Sequence, residues 1–347
     1  MVDAYEAALQ RVWRPVQAAR GADRAALLRE LVRCAALAPS GHNTQCWRFR
    51  LEAHGLAILP DWSRRTPVVD PDDHHLYVSL GCAAENLCQA ARALGWAASA
   101  EPVPEGQGGA IRILLEPAEP AVSALSRAIP HRQCTRAVYD GRALAVAELR
   151  RLEGAAGGGL SLVTGRGDVE RTLECIVDAG GRQIRDPAFV AELERWIRFS
   201  DREAVRTGDG LAARAVGSPP VPRWLGRRLF RALLRPGPEG EKYARWVRSS
   251  AGLAVFCSAG DDWASWVEAG RRYQRFALQA TAMGIRTAFL NQPVEAPEVR
   301  PELAAALGLG GVRPDLVVRF GRGPRMPRSL RRPVEAVLMP AGEGPAV

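Results

Sequence analysis

Three short stretches hold the side chains whose types and spacing could do chemistry. In LAPSGHNTQCWRF, residues 37–49, Pro39 stops a helix. Ser40, Gly41, His42, Asn43, Thr44 and Gln45 then follow in a row before a strand entered through Trp47. Hydroxyl, amide and imidazole groups on so tight a connection suit a polyhydroxyl chain or the edge of a heterocycle, and equally the loop's own backbone. In IPHRQCTRAVYDGRAL, residues 129–144, Arg132 and Arg136 stand four apart. A helical or tightly turned backbone there aims both guanidiniums at one dianionic phosphate, with Cys134 and Thr135 beside them. In GRGPRMPRSLRRPVEAV, residues 321–337, Arg322, Arg325, Arg328, Arg331 and Arg332 alternate with prolines. A proline-stiffened arm of that kind suits a phosphate clamp or a solvated tail. No residue stands out as a nucleophile or a general base.

Other candidates read as structure. His74 and His75 sit beside Asp70, Asp72 and Asp73 in DPDDHH, without a His-x3-His pair on a helix, and no metal site is expected. The seven cysteines, Cys34, Cys46, Cys82, Cys88, Cys134, Cys175 and Cys257, never form a C-x-x-C pair and read as reduced, mostly buried thiols. The net charge of +9 is carried almost wholly by arginine, with Lys242 the only lysine. Arg223, Arg227, Arg228, Arg231 and Arg235 cluster, but no stacking aromatics alternate with them in a nucleic-acid module, so nucleic acid is not an expected partner. No run of 18 apolar residues occurs, and MVDAYEAALQRVWRPV lacks the features of a signal peptide. A soluble cytoplasmic protein is expected.

Helical spacing of Leu27, Leu28, Leu31, Val32 and Ala35 predicts an amphipathic helix ending before Pro39. TQCWRFRLEAHGLAILPD reads as two strands about His54 and Gly55, LYVSLGCAAENLCQAARALGW as a buried helix ended by Gly95, and AIRILLEP as a strand. The later chain echoes this order, with VAELRRLEGAA, GLSLVTGRGD, a long helix ending at Met283 and Gly284, and PDLVVRFGRGP. Extra material from Gly181 to Ser250 has no counterpart in the first half. It includes RWLGRRLFRALLRPGPEG, with Leu225, Leu229 and Leu233 on one face, Phe230 nearby and arginines on the other. A lid is the favoured reading of that segment, and a membrane-surface or partner helix the alternative.

At these places together the chain resembles the nitroreductase-type flavoproteins. LAPSGHNTQCWRF is similar to their APS-x-N-x-QPW motif, HRQCTRAVYD to their RRS-x-R-x-F phosphate motif, and PRSLRRPVE to their closing basic segment. The phosphate motif usually comes first; the reversed order here resembles the Acg-type branch, in which one chain resembles a fused dimer of the unit. The resemblance implies an α+β, internally duplicated fold with mixed or antiparallel sheets packed by helices. Residues 1–120 form the first half, and 121–347 the second with a 181–250 insertion. The chain would be a monomer in the form of a fused pseudo-dimer, with further pairing left open.

The same resemblance implies one FMN per chain. Arg132 and Arg136 would bind its phosphate, with Cys134 where the family often has Ser. Ser40, Gly41, His42, Asn43 and Gln45 would line the ribityl chain and ring edge, and Asn291 and Gln292 would fall where a backbone N–H meets the reactive ring nitrogen. Arg328, Arg331 or Arg332 would complete the clamp. Cys46 replaces the proline of QPW. With the ring face open, the implied activity is hydride transfer from NAD(P)H to nitro- or quinone-like acceptors. With the insertion over it, the implied role is a non-catalytic, FMN-sequestering one. A basic interaction module is the third reading.

Overall fold

The computed structural model describes residues 3–17, 23–106 and 108–340; Met1 and Val2 of the N-terminal stretch and residues 341–347 of the second half lie outside the described residues. Helices α1 (Ala4–Val12) and α2 (Arg24–Ala36) lead into β1 (Trp47–Glu52), β2 (Gly55–Pro60), the long helix α3 (His74–Ala93), β3 (Trp96–Glu105) and β4 (Gly108–Pro117). Then come α4 (Ala124–Ala128), α5 (Val146–Ala156) and β5 (Leu160–Val163). A run of mostly short elements follows: α6 (Arg166–Arg185), α7 (Pro187–Trp196), β6 (Ile197–Arg198), α8 (Asp201–Thr207), β7 (Leu211–Ala212), α9 (Arg223–Leu233) and α10 (Pro236–Arg248). The chain closes with β8 (Gly252–Ser258), α11 (Trp263–Ala282), β9 (Arg286–Phe289), α12 (Gln292–Glu295), α13 (Arg300–Ala306), β10 (Arg313–Gly321) and α14 (Val334–Val337).

Two four-stranded antiparallel sheets result, ordered β1-β2-β4-β3 and β5-β8-β10-β9. In each, the strand that directly follows the long helix lies at an edge. Left-handed glycines turn the chain from helix to strand in both places, Gly95 with φ 85° after α3 and Gly284 with φ 72° after α11. Helices α3 and α11 cross at reciprocal glycines. A Cβ on Gly81 would lie 2.0 Å from the Val267 carbonyl oxygen, and one on Gly270 2.0 Å from that of Val78. Only glycine permits backbones so close. Glu85 receives Arg271 and Arg275, and Gln274 donates to Asn86 at 2.5 Å, so polar pairs fix the register of an otherwise apolar crossing. The largest core cluster draws residues from both sheets around these two helices.

The sheets differ in their outer faces. Strand β3 alternates between half-buried and exposed positions, whereas all seven residues of β8 are buried, because α6 and α10 cover the second sheet through Leu173, Ile176 and Val247. A strand covered on both faces shows no alternation, so periodicity gives no sign of β8. Pro102 and Pro104 likewise disguise β3, which tolerates them because it is an edge strand. The inserted helices lie between β5 and β8, where the first sheet has only the turn at Ala53 and His54; Gly181 falls inside α6. Among the described residues no helix is long and apolar enough to cross a membrane.

Candidate cofactor site

The loop from α2 to β1 is a tight, left-handed turn. His42, Asn43 and Gln45 have φ of 48°, 55° and 54°, conformations that only Gly, Asn and Asp adopt readily. Hydrogen bonds from Asn43 N to Ser40 O, from Thr44 N to Gly41 O and from Gln45 N to Ser40 Oγ hold it in place. The Asn43 amide donates to Gly210 O and Leu330 O and accepts from Arg331. Gln45 donates to Gly208 O and accepts from Arg332 N. Both side chains therefore tie the loop to the insertion and to the C-terminal arm. Strain at His42 and Gln45, held by so many partners, is of the kind that ligand-binding turns carry.

The segment carrying Arg132 and Arg136 is extended rather than helical, with Cys134 bridging to Thr287 in β9. Arg319, buried from β10, fixes it by donating to the carbonyls of Thr135 and Ala137, its guanidinium stacked 4.0 Å from the Tyr139 ring. Gln133 exchanges two hydrogen bonds with Met326 and so anchors the C-terminal arm. From the other side Tyr5 and Trp13 of the N-terminal segment donate to Arg328 O and Ser329 O.

Arg132, Arg328 and Arg331 thereby converge with Ser40, Asn43, Cys134 and Arg136 on a small cavity of about 50 Å³. Their environments differ. Arg331 donates to Ala36 O, Leu37 O and Ala38 O, closing the end of α2, as well as to Asn43 and Leu330. Burial, with Arg132 adding repulsion, pulls its pKa down to about 9. Arg132 is only 3% exposed, yet it makes a single bond of 3.3 Å to Leu37 O, and its Nε and Nη1 have no partner. Among the described residues none of Arg132, Arg136, Arg328 and Arg331 is in an ion pair, although Arg322 and Arg332 nearby are. A buried guanidinium with idle donors and no counter-charge costs several kcal/mol, roughly, unless an anion completes it.

A second cavity of about 640 Å³ shares with the first the wall of Pro39, Ser40, Arg136, Leu211 and Phe289. Gly41, His42, Asn291 and Gln292 line it too. The His42 Nδ1 is buried without a partner, and burial, reinforced by Arg136, lowers its pKa to about 4, so the ring is neutral near pH 7. The Asn291 side chain is spent on Val317 N, which leaves its backbone and that of Gln292 at the start of α12, where N–H groups lack helical partners. The opposite wall is apolar and comes from the insertion, with Phe189, Leu193, Phe199, Leu229, Phe230 and Trp246. Helix α9 is held there by Arg227 and Arg231 on Glu194 and by Arg223 on Glu203, while Asp209 joins Arg64 to Arg198 below it.

Of the residues singled out in the sequence, Ser40, Gly41, His42, Arg136, Asn291 and Gln292 line the large cavity. Ser40, Asn43, Arg132, Cys134, Arg136, Arg328 and Arg331 line the small one. Gln45 and Arg332 line neither; Arg332 reaches Asp61 and Ala336. Asp70, His75 and Glu295 also face the large cavity. The sequence hints at the first two only through DPDDHH, and at Glu295 not at all.

No family model matches the chain. Two proteins of Mycobacterium tuberculosis, from strains CDC 1551 / Oshkosh and ATCC 25618 / H37Rv and each named "Putative NAD(P)H nitroreductase", are 26% identical to it over 303 residues, spanning 86% of this chain and 85% of theirs. That likeness supports the nitroreductase family. Among solved structures, the chain is similar to the FMN-dependent nitroreductase NfnB from Mycobacterium smegmatis in complex with NADPH, at 15% identity and a TM-score of 0.39 over 58% of this chain and 87% of that one. It is also similar to a nitroreductase with bound FMN from Bacteroides fragilis, at 14% identity and a TM-score of 0.35 over 58% and 90%. Superposition at this level is loose, and the fold stands on the chain's own topology.

Proposed function

We propose that the chain is an FMN-binding, NAD(P)H-dependent oxidoreductase of the nitroreductase type, internally duplicated like the Acg-type branch and holding one cofactor. The observation that carries this reading is Arg132, a buried guanidinium with two idle donors, in a pocket that adjoins a cavity large enough for a flat heterocycle. A phosphate monoester brings roughly two negative charges and several acceptor oxygens, and Arg132, Arg136 and Arg328 are the side chains that would hold it. The neutral His42, the Ser40 hydroxyl and the N–H groups opening α12 would orient the ribityl chain and ring. Arg331, Gln45 and Arg332 shape the pocket from behind. When bound, the cofactor supplies hydride transfer, here to nitro- or quinone-like acceptors. The shared strand order of the two sheets and the reciprocal glycine crossing support duplication, with halves at 1–120 and 121–347.

A second reading, a protein that sequesters FMN, is favoured by the apolar roof that the insertion places over the same cavity. One experiment separates the readings. The visible spectrum of the FMN-loaded protein is recorded, and NADPH oxidation is then followed with nitrofurazone or menadione. Turnover above that of free FMN is expected for the enzyme. A flavin spectrum without turnover supports sequestration, and absence of FMN uptake ends both.

A further inference from the structure

The buried acids and imidazoles on the α12 side of the large cavity have no part in holding a cofactor. His75, 9% exposed, lines the cavity with an Nε2 that has no hydrogen-bond partner and lies 3.7 Å from Glu295 Oε1. Gln183 from α6 donates to Glu295 Oε2 at 2.8 Å, which leaves Oε1 between the imidazole and the cavity. Glu295 closes the same short helix that Asn291 and Gln292 open, so it stands one turn from the backbone assigned to the reactive ring edge. Behind His75 the ring of His74 lies at 4.5 Å between centroids, its Nε2 3.3 Å from Asp315 Oδ1, while Asp72, at the surface, accepts from His74 N. The titratable groups His74, His75 and Glu295 thus lie side by side behind the cavity wall, with Asp72 at the surface next to them.

We propose that Glu295, re-protonated through the imidazole of His75, delivers the proton to an acceptor reduced in the cavity; this rests on the oxidoreductase reading above. Two-electron reduction of a quinone takes one hydride, supplied from NAD(P)H through the cofactor, and one proton at an oxygen. The Glu295 O–H bond breaks as an O–H bond forms on the acceptor oxygen. The carboxylate left behind takes a proton from His75, which recovers one from solvent. The sum is NAD(P)H plus quinone plus one proton giving NAD(P)⁺ plus hydroquinone. A neutral imidazole performs such a relay by accepting at one nitrogen while releasing from the other.

The groups nearest Glu295 are His75 from α3 and Tyr243 from α10, with Asp70 before α3 and Glu239 and Lys242 of α10 also on the cavity wall, and Arg300 of α13 and Arg313 and Asp315 of β10 further out. Burial pushes the Glu295 carboxyl up to about 7, with the Gln183 hydrogen bond opposing it, and holds His75 well below its ordinary value. The acid form is therefore present below about pH 7 and is lost as pH rises through that value.

The test has two arms. In the first, photoreduced, FMN-loaded wild type, Glu295→Gln and His75→Asn are mixed with menadione across a pH series. Wild-type re-oxidation should fall as pH rises through about 7, and the Glu295→Gln rate should be flat and slower by about 100-fold. In the second, the carboxyl C=O stretch is titrated by infrared difference in protein without cofactor. Burial also raises Asp70 to about 8 and Asp315 to about 6; a band titrating near pH 7 should be missing from Glu295→Gln while those of Asp70 and Asp315 remain, and His75→Asn should shift it. Equal rates and profiles for wild type and Glu295→Gln, or no neutral-range carboxyl lost in that variant, overturn the proposal. Failure to load FMN is read from the visible spectrum as failure of the cofactor reading, and the infrared arm then decides alone whether Glu295 holds a proton near neutrality.

Discussion

The two ends of the site are built on opposite principles. Around the small pocket Asn43, Gln45, Gln133 and Arg331 are committed to stitching the loop, the insertion and the C-terminal arm together, while Arg132 is buried with idle donors. The large cavity is bounded on one side by apolar side chains of a helix that remains partly in solvent, with Leu229 43% and Leu233 67% exposed. A pocket completed in advance holds a ligand rigidly and selects its charge, whereas a thin apolar roof regulates what enters the cavity below it. Anchoring and access are thus assigned to different parts of the chain, and each can be altered alone.

The largest effect is expected from Arg331→Met. It strips hydrogen bonds from three helix-end carbonyls and from Asn43, and stability should fall by about 3–5 kcal/mol, read as a drop in Tm of the cofactor-free protein. Arg132→Met, in the same pocket, should do the reverse: an unpartnered buried charge disappears, the cofactor-free protein keeps or raises its Tm, and FMN affinity drops by about 100-fold or more. Loss of stability in both variants would erase the distinction between a structural and a ligand-binding arginine.

Asp209→Asn tests the seam between the two ends. Burial raises the Asp209 pKa, but Arg198 and Arg64 more than offset it and hold the carboxyl below its ordinary value. Its contribution is therefore present above about pH 4 and fades as pH falls below that. The substitution should cost about 2 kcal/mol near neutrality and speed proteolysis between α7 and α9. His42→Gln addresses the loop. His42 titrates lower when folded than when unfolded, so its stabilising effect is complete above about pH 6.5 and is lost as pH falls toward 4. The variant's Tm should gain on wild type between about pH 7 and pH 5. Leu233→Ser, at the exposed edge of α9, should change stability by no more than about 0.5 kcal/mol while changing the re-oxidation rate of photoreduced protein by oxygen or menadione. An unchanged rate there would argue that α9 does not govern access.

Much of this was legible in the sequence, for physical reasons that can be named. The amphipathic period of α2, the stop at Pro39 and the glycine after α3 are local signals, and the helix and turn formed where they predict. The motif resemblance brought the loop and the arginines together as candidates, and both groups line adjoining cavities. Side-chain direction was not legible. Gln45 faces the insertion because the left-handed turn that carries it rotates it away, and Arg332, on the C-terminal arm, is drawn to Asp61. The segment at Arg132 reaches its place as an extended bridge to Thr287 instead of a helix, since β9 offers it a partner that sequence spacing cannot reveal. Glu295 and His75 meet only because α12 folds back beside the start of α3, a contact between residues far apart in the chain.

The central claim, that the Arg132 pocket receives a phosphate at the tail of a flavin, is tested most directly by titrating the wild-type protein with FMN and with riboflavin, which differ only in that phosphate, and following flavin fluorescence. FMN is expected to bind tighter by about 100-fold or more. Equal affinities for the two would contradict the assignment.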